Sequence, residues 1–383
     1  MTIKITNGLV CEADCSSFFA GDVYIKNGKI TSEIIPSPDK IIDAHGGYVI
    51  PGFVDIHTHG NLGKSYDTRD NINDIIKLQV GLGVTTVVPT VAGLPLETLI
   101  AVLSEIADYK NTNTLGSVIG GIHIEGPFIS EEKKGAIIMQ DIKCNTESFN
   151  KLFDACHGLL KIMTIAPEVN GALDVIRLGS RLGVRMSLGH SMATYEEAMK
   201  GIEAGATGST HTFNAMRSYD HREPGILGAV LTDDRIICEA ICDLVHISAA
   251  TIKLIFNAKG ADNFICISDS TPLSYLPDGT YNLNGIEETV GGGVIRLKNG
   301  TISGSCSPLA DNARKMRTLD ISPTDIVKIC SLNPAKAVGL DNEIGAIKPG
   351  LNADIIITDD KFNVRSVIKC GEIQPRSADM PHS

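Results

Sequence analysis

Between Pro51 and about Leu332 the chain alternates eight short apolar runs with longer helix-patterned stretches, an order that restricts it to parallel strands with helices packed outside them. The runs are Gly52 to His59, Thr85 to Thr90, Val118 to Glu125, Lys161 to Pro167, Val184 to His190, Gly208 to His211, Ile236 to Asp243 and Phe264 to Asp269. Eight βα units predict a (β/α)8 barrel of the triosephosphate-isomerase type over 51–339. In such a barrel, groups that do chemistry sit at the C-terminal ends of the strands.

The two ends of the chain read differently. Residues 1–50 carry short alternating segments broken by turns, such as Asp22 to Ile30, where Asn27-Gly28 suits a tight hairpin. Short β segments return after about 340, including Ala353 to Ile357. Residues 1–50 and 340–383 are therefore expected to pair as one small β-sandwich domain. Inside the barrel pattern, Gly279 to Ser303 reads as a hairpin, with Gly291-Gly292-Gly293 and Asn299-Gly300 as turns.

Composition excludes several classes. A chain of 383 residues, 43% apolar and 21% charged, can bury a large core, and its net charge of -11 disfavours nucleic acid or an anionic membrane as partner. The N-terminus lacks the charged-then-apolar plan of a secretory signal and no apolar stretch reaches membrane-spanning length, so a cytoplasmic protein is expected. The ten cysteines contain no Cys-x-x-Cys pair and read as reduced core thiols. No Gly-x-Ser-x-Gly elbow marks a serine hydrolase.

The candidate chemistry lies at the ends of the runs. Residues two apart on a strand share a face, so His57 and His59 point the same way. A lone His-x-His is as readily a pair of satisfied core or surface histidines as a pair of metal ligands. Glu125, His190, His211 and Asp269 change that balance, because each closes another apolar run with a metal-ligating or ionisable group. Six independent structural partners would otherwise be needed. His123 shares the inward face with Glu125 and reads as support for the ligands.

Longer motifs carry a resemblance. Pro-Gly-Phe-Val-Asp-Ile-His-Thr-His at 51–59, Asn333-Pro334-Ala335-Lys336-Ala337, and the run from Gly345 to Asp354 resemble the amidohydrolase superfamily. His123-Ile124-Glu125-Gly126-Pro127-Phe128, Gly189-His190-Ser191, Thr210 to Met216 and Arg222-Glu223-Pro224-Gly225 are similar to N-acetylglucosamine-6-phosphate deacetylases. The resemblance implies a divalent metal, zinc or iron foremost, held by Glu125, His190 and His211. A second ion would sit at His57 and His59 through Glu125, giving one or two per subunit. It implies that Asp269, otherwise readable as a helix cap or turn residue, is general base and then general acid toward a metal-activated water. It also implies that the backbone of Asn214 and Ala215 and the side chain of Arg222 bind the sugar phosphate. Arg222 would reach across a homodimer, and His246, otherwise a core histidine, would contact the sugar.

The chain departs from that pattern after Lys133-Lys134-Gly135-Ala136, where Ile137 stands in place of the relatives' histidine or glutamine. Either Gln140 supplies the missing hydrogen bond after a loop shift, or the pocket takes a different acyl group or sugar. Cys266-Ile267-Ser268 before Asp269 also differs from the relatives. The expected reaction is therefore deacetylation of N-acetylglucosamine-6-phosphate to glucosamine-6-phosphate and acetate. An amidohydrolase acting on N-acetylgalactosamine-6-phosphate or another N-acyl compound is the alternative, and a barrel retained only as a scaffold is a third reading, which the filled ligand positions disfavour.

Overall fold

The computed structural model describes residues 1–283 and 285–375. Position 284 of the expected hairpin and positions 376–383 of the expected terminal β segment lie outside the described residues.

Eight strands form the barrel sheet in chain order: Phe53–Thr58, Val84–Ala92, Ile122–Glu125, Leu160–Ile165, Arg185–Leu188, Gly208–Ser209, Ile237–Ile241 and Phe264–Ile267. They are the first to eighth barrel strands below, and neighbouring strands pair in parallel. A helix follows each of them: Arg69–Gly81, Leu96–Thr112, Thr146–Ala155, Ala172–Arg181, Tyr195–Glu203, Gly225–Thr232, Ala249–Lys259 and Leu309–Arg317. The architecture is the (β/α)8 barrel expected from the alternation. The largest difference from the sequence reading is at the third strand: Val118 closes a short 3-10 helix, Thr114–Val118, and the strand begins four residues later at Ile122.

Val54, Ile56, Val88, Ile162, Ile241, Ile265 and Ile267 form one core cluster, closed by Ala335, Val338 and Ile344 from the segment after the last barrel helix. Burying one such side chain contributes about 1.5–3 kcal/mol. The Asn333 side chain donates to the carbonyls of Ala261 (2.7 Å) and Phe264 (2.8 Å), so the Asn-Pro-Ala motif ties that closing segment to the start of the eighth strand. Gly52 allows the entry of the first strand, since a Cβ there would stand 2.2 Å from Thr85 Oγ1.

The barrel seam between the eighth and first strands is closed partly by side chains. Asp269 N donates to His57 O (2.9 Å) and His59 N donates to Ser270 O (2.7 Å). Below them the buried Asp55 carboxylate accepts from Ser268 N (3.2 Å) and Ser268 Oγ (2.5 Å), standing where a backbone carbonyl would in a regular ladder. Burial pushes the Asp55 carboxyl up to about 6, against the hydrogen bonds from Ser268.

The chain ends share a second eight-stranded sheet. Thr2–Cys11 pairs antiparallel with Phe18–Lys26 and parallel with both Lys40–Asp43 and Tyr48–Pro51. Tyr48–Pro51 continues antiparallel to Ile355–Thr358, followed by Val364–Lys369 and Glu372–Gln374. Ile3, Ile5, Val23, Ile25, Val49, Ile355, Ile357 and Ile368 give this sheet a core of its own. Asn27 (φ 52°) and Gly28 (φ 78°) turn the predicted hairpin, and positive φ at both positions is what the type I′ turn requires. The stretch read as a single hairpin is instead a four-stranded antiparallel meander, Gly279–Leu283, Ile286–Gly291, Val294–Leu297 and Ile302–Ser305. Its last two strands are joined by the Asn299-Gly300 turn that the sequence marked.

Asp354, which closes the motif beginning at Gly345, has a structural role in this second sheet. Its carboxylate accepts from Lys369 Nζ (2.7 Å) and Cys370 N (2.8 Å), and Asp354 and Lys369 are 3% and 6% exposed. Removing one member of a buried pair strands the other charge, so Asp354→Ala is expected to cost about 3–5 kcal/mol. Denaturant midpoints measured at unchanged slope test this, and a shift worth less than about 1 kcal/mol would refute it.

Candidate metal centre

At the C-terminal mouth of the barrel, six side chains from the first, third, fifth, sixth and eighth strands converge. Glu125 is central: its Oε1 lies 3.0 Å from His190 Nε2, 3.0 Å from His211 Nε2 and 3.4 Å from His57 Nε2, while its Oε2 lies 3.2 Å from His59 Nε2. Asp269 Oδ1 stands 3.4 Å from His57 Nε2 and 3.3 Å from His59 Nε2. The donor atoms group as two triads, Glu125 with His190 and His211, and His57 with His59 and Asp269, each gathered within 4.8 Å.

The spacing bears on what the site can hold. Ring nitrogens face one another at 3.0 Å (His190 and His211) and 3.2 Å (His57 and His59). Lone pairs aimed at one another repel unless a proton or a cation lies between them. Donors about 2.0–2.1 Å from one tetrahedral centre lie roughly 3.3 Å apart, so the observed separations suit a common cation. Imidazole and carboxylate together suit a divalent ion, and three protein ligands leave a position open for substrate or water.

Backbone geometry explains how these side chains reach the centre. His57 and Glu125 sit within their strands, His59 follows its strand by one residue, and His190, His211 and Asp269 follow theirs by two. These last three have positive φ, 48°, 30° and 49°. For a residue with a Cβ, such a conformation costs on the order of 1–3 kcal/mol, borne by the surrounding fold. The turn ends each strand earlier than its apolar run suggests.

Neighbouring groups orient the cluster. His190 Nδ1 lies 2.7 Å from Lys133 O; that carbonyl can only accept, so Nδ1 carries the proton and Nε2 faces Glu125. His123 is fully buried, edge-on to His57 at 4.6 Å between ring centroids, with Nε2 2.8 Å from Thr164 Oγ1. Thr164 Oγ1 continues to Thr210 Oγ1 (2.8 Å) and Thr210 Oγ1 to Ser187 Oγ (2.7 Å), a hydroxyl chain crossing the barrel beside the ligands. Burial, together with the charge of His57, pushes the His123 pKa well down, which keeps it neutral. Burial alone would disfavour charge on His59, yet the hydrogen bonds it donates to Asp269 and Glu125 outweigh it and raise its pKa to about 10 in the protein alone. Burial likewise opposes ionisation of Asp269 and Glu125, but the histidines prevail, holding Asp269 at about 2 and Glu125 well below the usual carboxylate range.

The remaining predicted residues are placed less uniformly. Asn214 and Ala215 lie in the loop after the sixth strand, where Asn214 N donates back to His211 O (2.8 Å) and Ala215 O accepts from Ser191 N (3.1 Å). The Asn214 amide N–H is thus engaged in its own turn. Arg222 is exposed, on a loop held by Asp220, whose Oδ1 accepts from Arg222 N (2.9 Å). His246 follows the seventh strand, its Nδ1 2.7 Å from Asp243 Oδ2. Ile137 is half-buried beside Gly93, and Gln140 Nε2 donates to Gly93 O (2.9 Å). That bond ties the Gln140 amide to the loop after the second strand.

Sequence reasoning missed Asp55, Asp243 and Ser305. The available signal was a charged residue inside an otherwise apolar strand run at Asp55 and one closing the seventh run at Asp243; Ser305 offered none.

The sequence profile of the amidohydrolase family matches residues 48–373. An N-acetylgalactosamine-6-phosphate deacetylase of Escherichia coli O157:H7 is 30% identical, over 90% of this chain and 92% of that protein. An N-acetylglucosamine-6-phosphate deacetylase of Bacillus subtilis (strain 168) is 33% identical, over 92% of each. The structure of a mutant Mycobacterium smegmatis N-acetyl-D-glucosamine-6-phosphate deacetylase, in complex with N-acetyl-D-glucosamine-6-phosphate, aligns with a TM-score of 0.88 at 30% identity, over 98% of this chain and 99% of that one. With the profile spanning the whole barrel and relatives matched along nearly their full length, the chain belongs to the amidohydrolase family.

Proposed function

We propose that the protein deacetylates N-acetylglucosamine-6-phosphate, releasing acetate and glucosamine-6-phosphate. The observation carrying this reading is the convergence of Glu125, His190 and His211 on one point with Asp269 facing the same cluster, in a chain similar to deacetylases over nearly its whole length. Glu125, His190 and His211 would hold a divalent cation, zinc or iron foremost, and His57 and His59 would hold a second with Glu125; a cation held there would supply Lewis-acid polarisation of the acetamide carbonyl and a lowered pKa for a neighbouring water.

The chain's own groups do the rest. Asp269 takes a proton from the attacking water as its oxygen bonds to the carbonyl carbon. The same carboxyl then gives that proton to the nitrogen as the carbon–nitrogen bond breaks, which leaves acetate and a free amine. His123 and the hydroxyl chain behind it keep His57 in place. The loop of Asn214 and Ala215 receives the phosphate, and Arg222, exposed on its own subunit, offers a two-pronged guanidinium to the phosphate of a partner subunit in a cytoplasmic homodimer.

N-acetylgalactosamine-6-phosphate is the second reading, favoured by the name of the Escherichia coli relative. Acetate release from both phosphorylated sugars and from their unphosphorylated forms, with zinc or iron added, decides between them. Turnover of the phosphorylated glucose form above the galactose form supports the first reading. Turnover of neither, with metal bound, would overturn both.

Among the described residues, no helix is long and apolar enough to cross a membrane.

A further inference from the structure

A half-buried carboxylate that the metal cluster does not use ties together the loops after the fourth, fifth and sixth strands. Glu168 follows the fourth strand by three residues, in Ala166-Pro167-Glu168. Its Oε1 accepts from Met192 N (2.6 Å) and its Oε2 from Ser191 Oγ (2.8 Å), both in the loop after the fifth strand. Ser191 Oγ in turn accepts from Ala193 N (3.0 Å), so the carboxylate and the hydroxyl together fix residues 191–193. Burial pushes the Glu168 carboxyl up, against the hydrogen bonds from Ser191 and Met192.

Ser191 passes that constraint on to the loop after the sixth strand. It is fully buried; its N–H donates to Ala215 O (3.1 Å) and its carbonyl accepts from Arg217 N (2.9 Å), so that Ser191 and Met216 form a parallel bridge. Phe213 (φ 82°) and Ala215 (φ 52°), on either side of Asn214, have left-handed backbone, which a residue with a Cβ keeps only where its surroundings impose it. Both bonds of the bridge to Ser191 act on that segment.

His190, the neighbour of Ser191 in the chain, is held by other groups. Its Nδ1 is engaged by Lys133 O (2.7 Å), and its carbonyl accepts from Ser130 N (2.9 Å). Losing the Glu168 carboxylate therefore frees residues 213–217 while His190 keeps the bonds that aim it at Glu125.

We propose that Glu168 is a positioning residue for the phosphate: by clamping Ser191 and Met192 it holds residues 213–217 in the strained conformation in which Asn214 and Ala215 receive the phosphate of the substrate. The phosphate half rests on the deacetylase reading above; the clamp does not. A carboxylate that anchors a loop can serve stability alone, but this one anchors a strained loop whose role is binding. Its loss should accordingly be read in KM, because Asp269 and the metal ligands are placed by other contacts.

Two measurements test the proposal on the zinc-loaded protein. The first is kcat and KM for the hexosamine phosphate that turns over, in wild type, Glu168→Ala, Glu168→Gln and Ser191→Ala, with the zinc content of each. Glu168→Ala is expected to raise KM by about 10-fold or more with kcat within about 3-fold of wild type, since what it removes is binding shared by the ground and transition states. Glu168→Gln is expected to recover most of that loss, because its amide oxygen still accepts from Met192 N and its amide N–H can donate to Ser191 Oγ. The second is hydrogen exchange at the Ser191 and Arg217 amides, which should be faster by about 10-fold or more in Glu168→Ala. A KM unchanged in folded Glu168→Ala, or a fall in kcat with loss of zinc in its place, overturns the proposal. Should Glu168→Ala not fold, Ser191→Ala carries the test: a KM raised by about 3-fold or more supports the clamp and an unchanged KM overturns it. If no hexosamine phosphate turns over while the two amides lose protection, the phosphate role falls with the substrate reading and the clamp stands; amides that keep their protection overturn the clamp itself.

Discussion

Asp269→Asn is expected to lower kcat by about 10²- to 10⁴-fold while the protein stays folded and keeps its metal. The substitution is isosteric, and the backbone bonds that place the residue, Asp269 N to His57 O at 2.9 Å and Ser305 N to Asp269 O at 2.8 Å, do not involve its side chain. What changes is the proton chemistry. The amide cannot take a proton from the attacking water or hand one to the departing amine, so both halves of the reaction lose their relay. The effect should fall on kcat, with KM nearly unchanged, because the group acts on the reacting atoms and not on the phosphate. Metal analysis and circular dichroism on the same sample separate this from loss of the site. A variant that retains more than a tenth of wild-type kcat would remove Asp269 from the mechanism.

Glu125→Gln is expected to have the larger effect on the metal itself. Glu125 stands within 3.4 Å of all four histidines of the cluster, and its negative charge favours their gathering in a buried space. An uncharged amide leaves an imidazole cluster facing a cation without the compensating charge, in a site where electrostatic terms are large. A bound cation contributes several kcal/mol to the transition state, so its loss should reduce kcat/KM by about 10³-fold or more. Stability supplies an independent readout. An ion held at about 1,000 times its Kd adds roughly 4 kcal/mol to wild type, and chelation should remove that gain. In Glu125→Gln the melting temperature should be insensitive to chelator and to added zinc. A variant that still binds a full equivalent of metal and melts like the holoprotein would show that Glu125 is not the central ligand.

These two effects are large for the same reason: both groups lie where strand ends from opposite sides of the barrel meet. The hydroxyls of Thr164, Thr210 and Ser187 join the fourth, fifth and sixth strands beneath the cluster, and Asp55 joins the first to the eighth. The strained turns at His190, His211 and Asp269 persist because that framework is over-determined.

The sequence by itself determined the barrel, since eight apolar runs spaced by helical stretches admit few other parallel arrangements, and strand periodicity put His57 and His59 on one face. It also marked Glu125, His190, His211 and Asp269, because an ionisable residue closing an apolar run stands out locally. Only the tertiary structure decided what depends on partners distant in the chain. Asp55 meets Ser268 across a separation of 213 residues, and Ser305 meets Asp243 across 62. Gln140 meets Gly93, 47 residues away, and the single expected hairpin became a four-stranded meander. Local pattern encodes which face a residue takes and where a strand is; which strand end meets which is set by closure of the sheet, a property of the whole chain that no window of sequence contains.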